Sequence, residues 1–241
     1  MKTPSSSRRH SLKLLLMGAL GLSSHKVFSR EEVIAVPSSG SWRNPEGMKI
    51  AYILFDGITL LDFIGIYDPL SRIKSKKFME PFSWDLCATK GTVKDGFGLT
   101  MKVDKISPDL SAYDMIIVPG GFGTRPLQFD NEFLAWLRTA EQTTYKVSIC
   151  TGSLLLGAAG FLEGKVATTN FKEYETVGKY CEEVSEKRIV EDGNLITAGA
   201  VASSLDLGLY LCEKLVGKAH TEEIRKSMDY YPGNFELFQK E

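Results

Sequence analysis

Short apolar runs, each closed by turn residues and followed by a stretch with helical spacing, constrain this chain more than any other feature. Residues 49–55 (KIAYILF) run into Asp56-Gly57, and residues 60–76 then repeat apolar positions at helical spacing. The alternation continues with runs at 82–88 and 114–118, the latter stopped by Pro119-Gly120-Gly121. Helical spacing over 131–142, a run at 145–149 and an Ala-rich apolar stretch over 153–159 follow. The 49–55 run, apolar after its first residue, reads as a strand buried on both faces, and the other runs read as further strands. Their alternation with helices predicts an α/β domain whose mainly parallel sheet is covered on both sides, with right-handed crossovers. Near the end, residues 188–190 and 194–197 flank Glu191-Asp192-Gly193, and Asp-Gly readily adopts the positive φ of a hairpin turn. Residues 203–215 read as the next helix, and no internal repeat is present.

The chain has 241 residues and a formal net charge of −1, which fits one globular domain and leaves no room for a second. Lys and Arg are scattered rather than gathered on one segment, which argues against nucleic acid as a partner. The four cysteines, Cys87, Cys150, Cys181 and Cys212, are too few and too far apart for a disulfide scaffold, and none forms a CxxC pair. A metal site is not expected.

The first thirty residues differ in kind. Arg8-Arg9, Leu12-Lys13 and the apolar residues 14–22 occur in the order of a twin-arginine export signal, and the apolar part is too short to span a bilayer. The expectation is a signal segment at 1–30, a flexible Pro/Ser/Gly-rich linker at 31–47 and the folded domain at 48–241. It carries with it a periplasmic location and no stable membrane insertion. Met48, just before the first strand, is an alternative start that would leave the protein cytoplasmic.

In open α/β sheets ligands bind beyond the carboxyl ends of the strands, so the residues after 55, 118 and 149 should converge. Cys150-Thr151-Gly152 follows the 145–149 run, which places the thiol where a strand turns into a helix. A helix start favours thiolate and offers N–H groups to an oxyanion. Gly152 permits close packing, and Gly120 and Gly121 can bring further backbone donors near the site. The competing reading of Cys150 is a small buried filler, which is how Cys87 and Cys212 are read. Asp62 stands alone in apolar company (Leu60-Leu61-Asp62-Phe63-Ile64). Either it caps the helix that begins there, or burial raises its pKa so that it passes protons near neutral pH. Two of the three histidines, His10 and His25, lie in the leader, and His220 sits in a charged helix. A Cys-His triad is therefore poorly supported.

These residues resemble the DJ-1/PfpI superfamily, and within it the isocyanide (isonitrile) hydratase branch. The likeness runs from Met48 onward and rests on residues 149–160 (ICTGSLLLGAAG), 164–169 (GKVATT), 118–121 (VPGG), Leu61-Asp62 and 191–199 (EDGNLITAG). It implies a flavodoxin-like three-layer sandwich, the fold also seen in glutamine amidotransferases, and a homodimer. It further implies a nucleophilic Cys150 with Asp62 as its acidic partner, Thr151, Gly120 and Gly121 around the charged intermediate, a small-molecule substrate and no cofactor. Carried over, the thiolate attacks the terminal carbon of an isocyanide, Asp62 handles the proton, and water releases an N-substituted formamide. Two positions depart from the pattern: Asn170-Phe171 stands where the family commonly has histidine before an aromatic, and Ile66 where the branch has proline. Two other readings exist within the superfamily. One is the amino-terminal domain of an AraC-type regulator, which carries a further helix-turn-helix region, and the other a stress protein whose cysteine is oxidised.

Overall fold

The computed structural model describes residues 34–35 and 47–232. The expected leader, most of the linker and the last nine residues lie outside the described residues. In chain order the elements are β1 (Ile34–Ala35), β2 (Met48–Ile53), α1 (Leu60–Ser75), β3 (Phe82–Ala88), β4 (Thr92–Lys94), β5 (Thr100–Lys102) and β6 (Lys105–Ile106). Next come β7 (Met115–Val118), α2 (Thr124–Leu127), α3 (Asn131–Arg138), β8 (Tyr145–Ile149), α4 (Gly152–Ala158), β9 (Val166–Ala167) and α5 (Tyr174–Val177). β10 (Glu183–Val184), β11 (Ile189–Asp192), β12 (Leu195–Ala198) and α6 (Ser203–Ser227) complete the chain.

Eight strands form the central sheet in the order β1-β11-β12-β8-β7-β2-β3-β6. Every neighbouring pair is parallel except β11 with β12, whose register pairs Asp192 with Leu195 across the Asp-Gly turn. Gly193 there has φ +66, the conformation that turn requires. The chain lays β3 on one side of β2 and β7, β8 and β12 on the other, so the strand order reverses at β2. With right-handed crossovers this reversal sends α1 to one face and the helices after β7 and β8 to the other. α1 packs on α6, while α2 and α5 pack on α4, giving the three-layer flavodoxin-like sandwich.

Burial follows the apolar pattern. Ile50 to Leu54, Met115 to Val118, Val147 and Ile149 are wholly buried, as strands covered on both faces should be. The α1–α6 contact is close because Gly65 and Gly208 face it: a Cβ on Gly65 would stand 2.1 Å from Ser204 Oγ. α6 runs past the expected end at 215 to Ser227, bending at Gly217, whose φ is +80. Two residues of the expected linker, Ile34 and Ala35, instead add an edge strand to β11, because Val33 to Val36 is an apolar, β-branched run inside a Pro/Ser-rich segment. Among the described residues no helix is long and apolar enough to cross a membrane.

Candidate active site

β2, β7 and β8 are neighbours in the sheet, and their carboxyl ends deliver three turns to one place. At the end of β8, Cys150 takes φ +57, a left-handed conformation that costs a non-glycine residue roughly 1 kcal/mol or more. Hydrogen bonds hold that residue on both sides. Its N–H donates to the carbonyls of Ala198 (3.0 Å) and Gly199 (2.8 Å) at the end of β12. Its carbonyl accepts from Thr169 Oγ1 (2.9 Å) and Ser153 Oγ (3.2 Å). Gly152 then lets the turn lie on β7, where a Cβ would stand 2.1 Å from the Val118 carbonyl oxygen. The expected strand-to-helix elbow is thus present, and its strain is carried by neighbouring strands.

Asp62 reaches the same point from α1. The capping reading does not hold, because Thr59 occupies the N-cap and Asp62 sits within the first turn, fully buried. Its Oδ2 accepts from the Gly120 N–H at 3.0 Å, and its carboxyl interacts with the Cys150 thiol. Oδ1 has no hydrogen-bond partner among the described residues. Burial dominates and pushes the Asp62 pKa up to about 6. Gly120 is the closest piece of the site: a Cβ there would stand 2.6 Å from Thr151 N, 2.9 Å from Asp62 Oδ2 and 2.9 Å from Cys150 Cβ. Only a residue without Cβ lets carboxyl and thiol meet across β7.

Two expectations change here. Cys150 is only 4% exposed, and burial, followed by the Asp62 charge, pushes its pKa up to about 11. The N–H of Thr151 and the amide of Asn170 act the other way but are outweighed. The helix start therefore does not make a resting thiolate. The N–H groups of Gly120 and Gly121 are also not open donors in this state. The first is engaged by Asp62, and the second donates to Thr151 Oγ1 at 3.0 Å. Thr151 Oγ1 in turn accepts from Thr124 Oγ1 at 2.9 Å, so Thr151 and Gly121 lock the turn beside the sulfur.

Sequence reasoning passed over a second layer. The Asn170 amide lies 3.5 Å from Cys150 Sγ. Glu173 pairs with Arg125 at 2.6 Å, and Arg125 Nη1 donates to the Gly121 carbonyl at 3.4 Å. Arg125 and Glu173 are 48 residues apart and carry no local signal, whereas the departure at Asn170 was visible. His220 is exposed and stacks on Phe78 at 4.1 Å, and Cys87 and Cys212 are buried filler as expected. Among the described residues no three His, Cys, Asp or Glu side chains are gathered as a metal would require.

Fold and site together define an α/β protein with a buried cysteine on a strained elbow beside a buried carboxyl. Residues 48–214 match the DJ-1/PfpI family model, and the chain belongs to that family. It is 34% identical over 186 residues to an isonitrile hydratase of Pseudomonas putida, covering 77% of this chain and 79% of that one. It is 26% identical over 181 residues to a helix-turn-helix transcriptional regulator of Pseudomonas aeruginosa, covering 72% of this chain but 51% of the regulator. A solved THiJ/PfpI family protein from Pseudomonas syringae superposes with a TM-score of 0.70 at 26% identity, covering 83% of this chain and 84% of that one. Drosophila melanogaster DJ-1beta shares the fold, with a TM-score of 0.66 at 23% identity over 76% of this chain and 98% of its own.

Proposed function

We propose that this protein hydrates an isocyanide to an N-substituted formamide, with Cys150 as nucleophile and Asp62 as proton carrier. The observation that carries the reading is the buried Asp62 carboxyl held against the Cys150 thiol by the Gly120 N–H. The likeness to an isonitrile hydratase supports the choice of substrate.

With pKa values of about 6 and about 11, the pair at neutral pH is a carboxylate and a thiol that share one proton. As sulfur attacks the terminal carbon of R–NC, the S–H proton passes to Asp62 and a C–S bond forms. That proton then goes to the former isocyanide carbon, giving the thioimidate R–N=CH–S–Cys150 and returning Asp62 to the carboxylate. Water adds across the C=N bond, placing OH on carbon and H on nitrogen. The C–S bond then breaks with the sulfur reprotonated, releasing R–NH–CHO. Atoms balance as isocyanide plus water to formamide, with no redox change and no cofactor.

The test is formamide production from phenyl isocyanide by wild type, Cys150→Ala and Asp62→Asn. Turnover by wild type and loss in both variants is expected. Undetectable wild-type turnover overturns the substrate, and an Asp62→Asn variant as fast as wild type overturns the proton role. The rival oxidation-sensor reading is disfavoured by the raised thiol pKa, since thiolate is the species that peroxide attacks. Reduced Cys150 after modest peroxide excess, read by mass spectrometry, is the expected result. The family likeness further supports a small-molecule substrate and a homodimer, checked by solution mass, and the Arg8-Arg9 segment separately supports export, checked by fractionation of cells.

A further inference from the structure

Asn170 is the N-cap of a single turn of 3-10 helix over residues 171–173. Its Oδ1 accepts from the Lys172 N–H at 3.1 Å, which decides which end of the amide faces which way. With the oxygen so engaged, Nδ2 points at Cys150 Sγ, 3.5 Å away. The turn that bears Asn170 is tied across the site rather than left loose. Glu173, the last residue of the turn, pairs with Arg125 at 2.6 Å and accepts from Thr176 Oγ1 at 3.0 Å. Arg125 reaches the carbonyl of Gly121, the residue after the glycine that separates Asp62 from Cys150. A strap thus runs from the sulfur through Asn170, Glu173 and Arg125 back to the β7 turn.

We propose that Asn170 is a further catalytic residue, whose oriented amide N–H stabilises negative charge on the Cys150 sulfur while the Arg125–Glu173 pair holds it in place. An amide suits a site already occupied by a carboxylate. It donates at every pH, cannot compete with Asp62 for the proton, and adds no charge to the pair. The direction of the titration agrees, since the Asn170 hydrogen bond works against burial and the Asp62 charge in setting the thiol pKa. This inference rests on Cys150 being the reactive sulfur and not on isocyanide being the substrate.

The test is the rate at which iodoacetamide alkylates Cys150 in the full chain between pH 7 and 10.5, read by mass spectrometry. Wild type is compared with Asn170→Ala and Asn170→Asp, and Cys150→Ala gives the background. Asp keeps the side-chain oxygen that caps the turn, so it preserves the fold while replacing the donor with a charged acceptor. Loss of one charge-assisted hydrogen bond corresponds to roughly a tenfold fall in thiolate. The more basic thiolate is also the better nucleophile, so alkylation of Asn170→Ala is expected to be roughly threefold slower at each pH, and of Asn170→Asp slower still. A purely structural role moves the rate the other way, because a loosened turn exposes the sulfur and speeds alkylation. Equal or faster alkylation in either variant overturns the proposal. Glu173→Gln, which cuts the strap outside the site, is expected to slow alkylation in the same direction, and an unchanged rate removes the strap from the argument. Should wild type fail to turn over isocyanide while these shifts appear, the substrate falls and Asn170 keeps its role.

Discussion

Replacing Asp62 with Asn separates the cost of the buried carboxylate from everything else in the fold. The group is fully buried, and its pKa rises from an ordinary 3.8 to about 6, chiefly through burial. A raised carboxyl pKa means that the native state binds the proton more tightly than the unfolded chain. Stability from this group is therefore fully present below pH 3.8 and is lost as pH rises through about 6. At 1.36 kcal/mol per pKa unit, the loss between pH 4 and pH 8 is roughly 2–3 kcal/mol. Asn does not titrate, and the Cys150 thiol, whose pKa the Asp62 charge raises from an ordinary 9.0, stays protonated up to pH 8, so the other groups cancel between the two proteins. Urea unfolding at closely spaced pH values gives the free-energy gap between Asp62→Asn and wild type. That gap is expected to move in favour of the variant by roughly 2–3 kcal/mol from pH 4 to pH 8, whatever its starting value. A flat gap, or one moving the other way, would show that the carboxyl is solvated or paired in the native state and refute the argument.

Other outcomes follow from the same geometry. Under the proposed mechanism Asp62 takes the thiol proton only when ionised, so kcat/KM is expected to rise through about pH 6, and a limb centred near 4 would contradict it. Gly120→Ala places a methyl 2.6 Å from Thr151 N and 2.9 Å from Cys150 Cβ. It is expected to cut kcat/KM by about 100-fold or more and to destabilise by about 1–3 kcal/mol, seen in initial rates and urea midpoints. Gly65→Ala drives a methyl into Ser204 Oγ at 2.1 Å, so a loss of about 1–3 kcal/mol is expected, with at least half recovered in the Gly65→Ala, Ser204→Gly double variant.

The sequence announces features that depend on local pattern. β3 and β8 begin and end where their runs do, although β3 carries Ser83 and Asp85 and β8 carries Lys146 and Ser148, because their aromatic and β-branched residues lie between flanking turn residues. β4, β5, β9 and β10 are two or three residues long, too short for any periodicity to register. At the site, the meeting of Cys150 and Asp62 was legible from strand ends and a misplaced acid. The direction of the Cys150 pKa was not. Spacing reveals a helix start, but burial to 4% exposure and the charge of Asp62 depend on how three turns close together. The engagement of the Gly120 and Gly121 N–H groups is hidden for the same reason, as is the Arg125–Glu173 tie.

On the proposed reading, the proton shared by Asp62 and Cys150 also bears on which substrates the site favours. Between about pH 6 and pH 11 the pair carries one negative charge whichever atom holds the proton, and Arg125, which reaches the adjoining turn, is neutralised by Glu173. A carboxylate or phosphate drawn toward the sulfur therefore meets a like charge in a desolvated space where repulsion is poorly screened. A small uncharged molecule with an electrophilic carbon approaches the sulfur without that cost. On the proposed mechanism, the arrangement that moves the proton also disfavours anions.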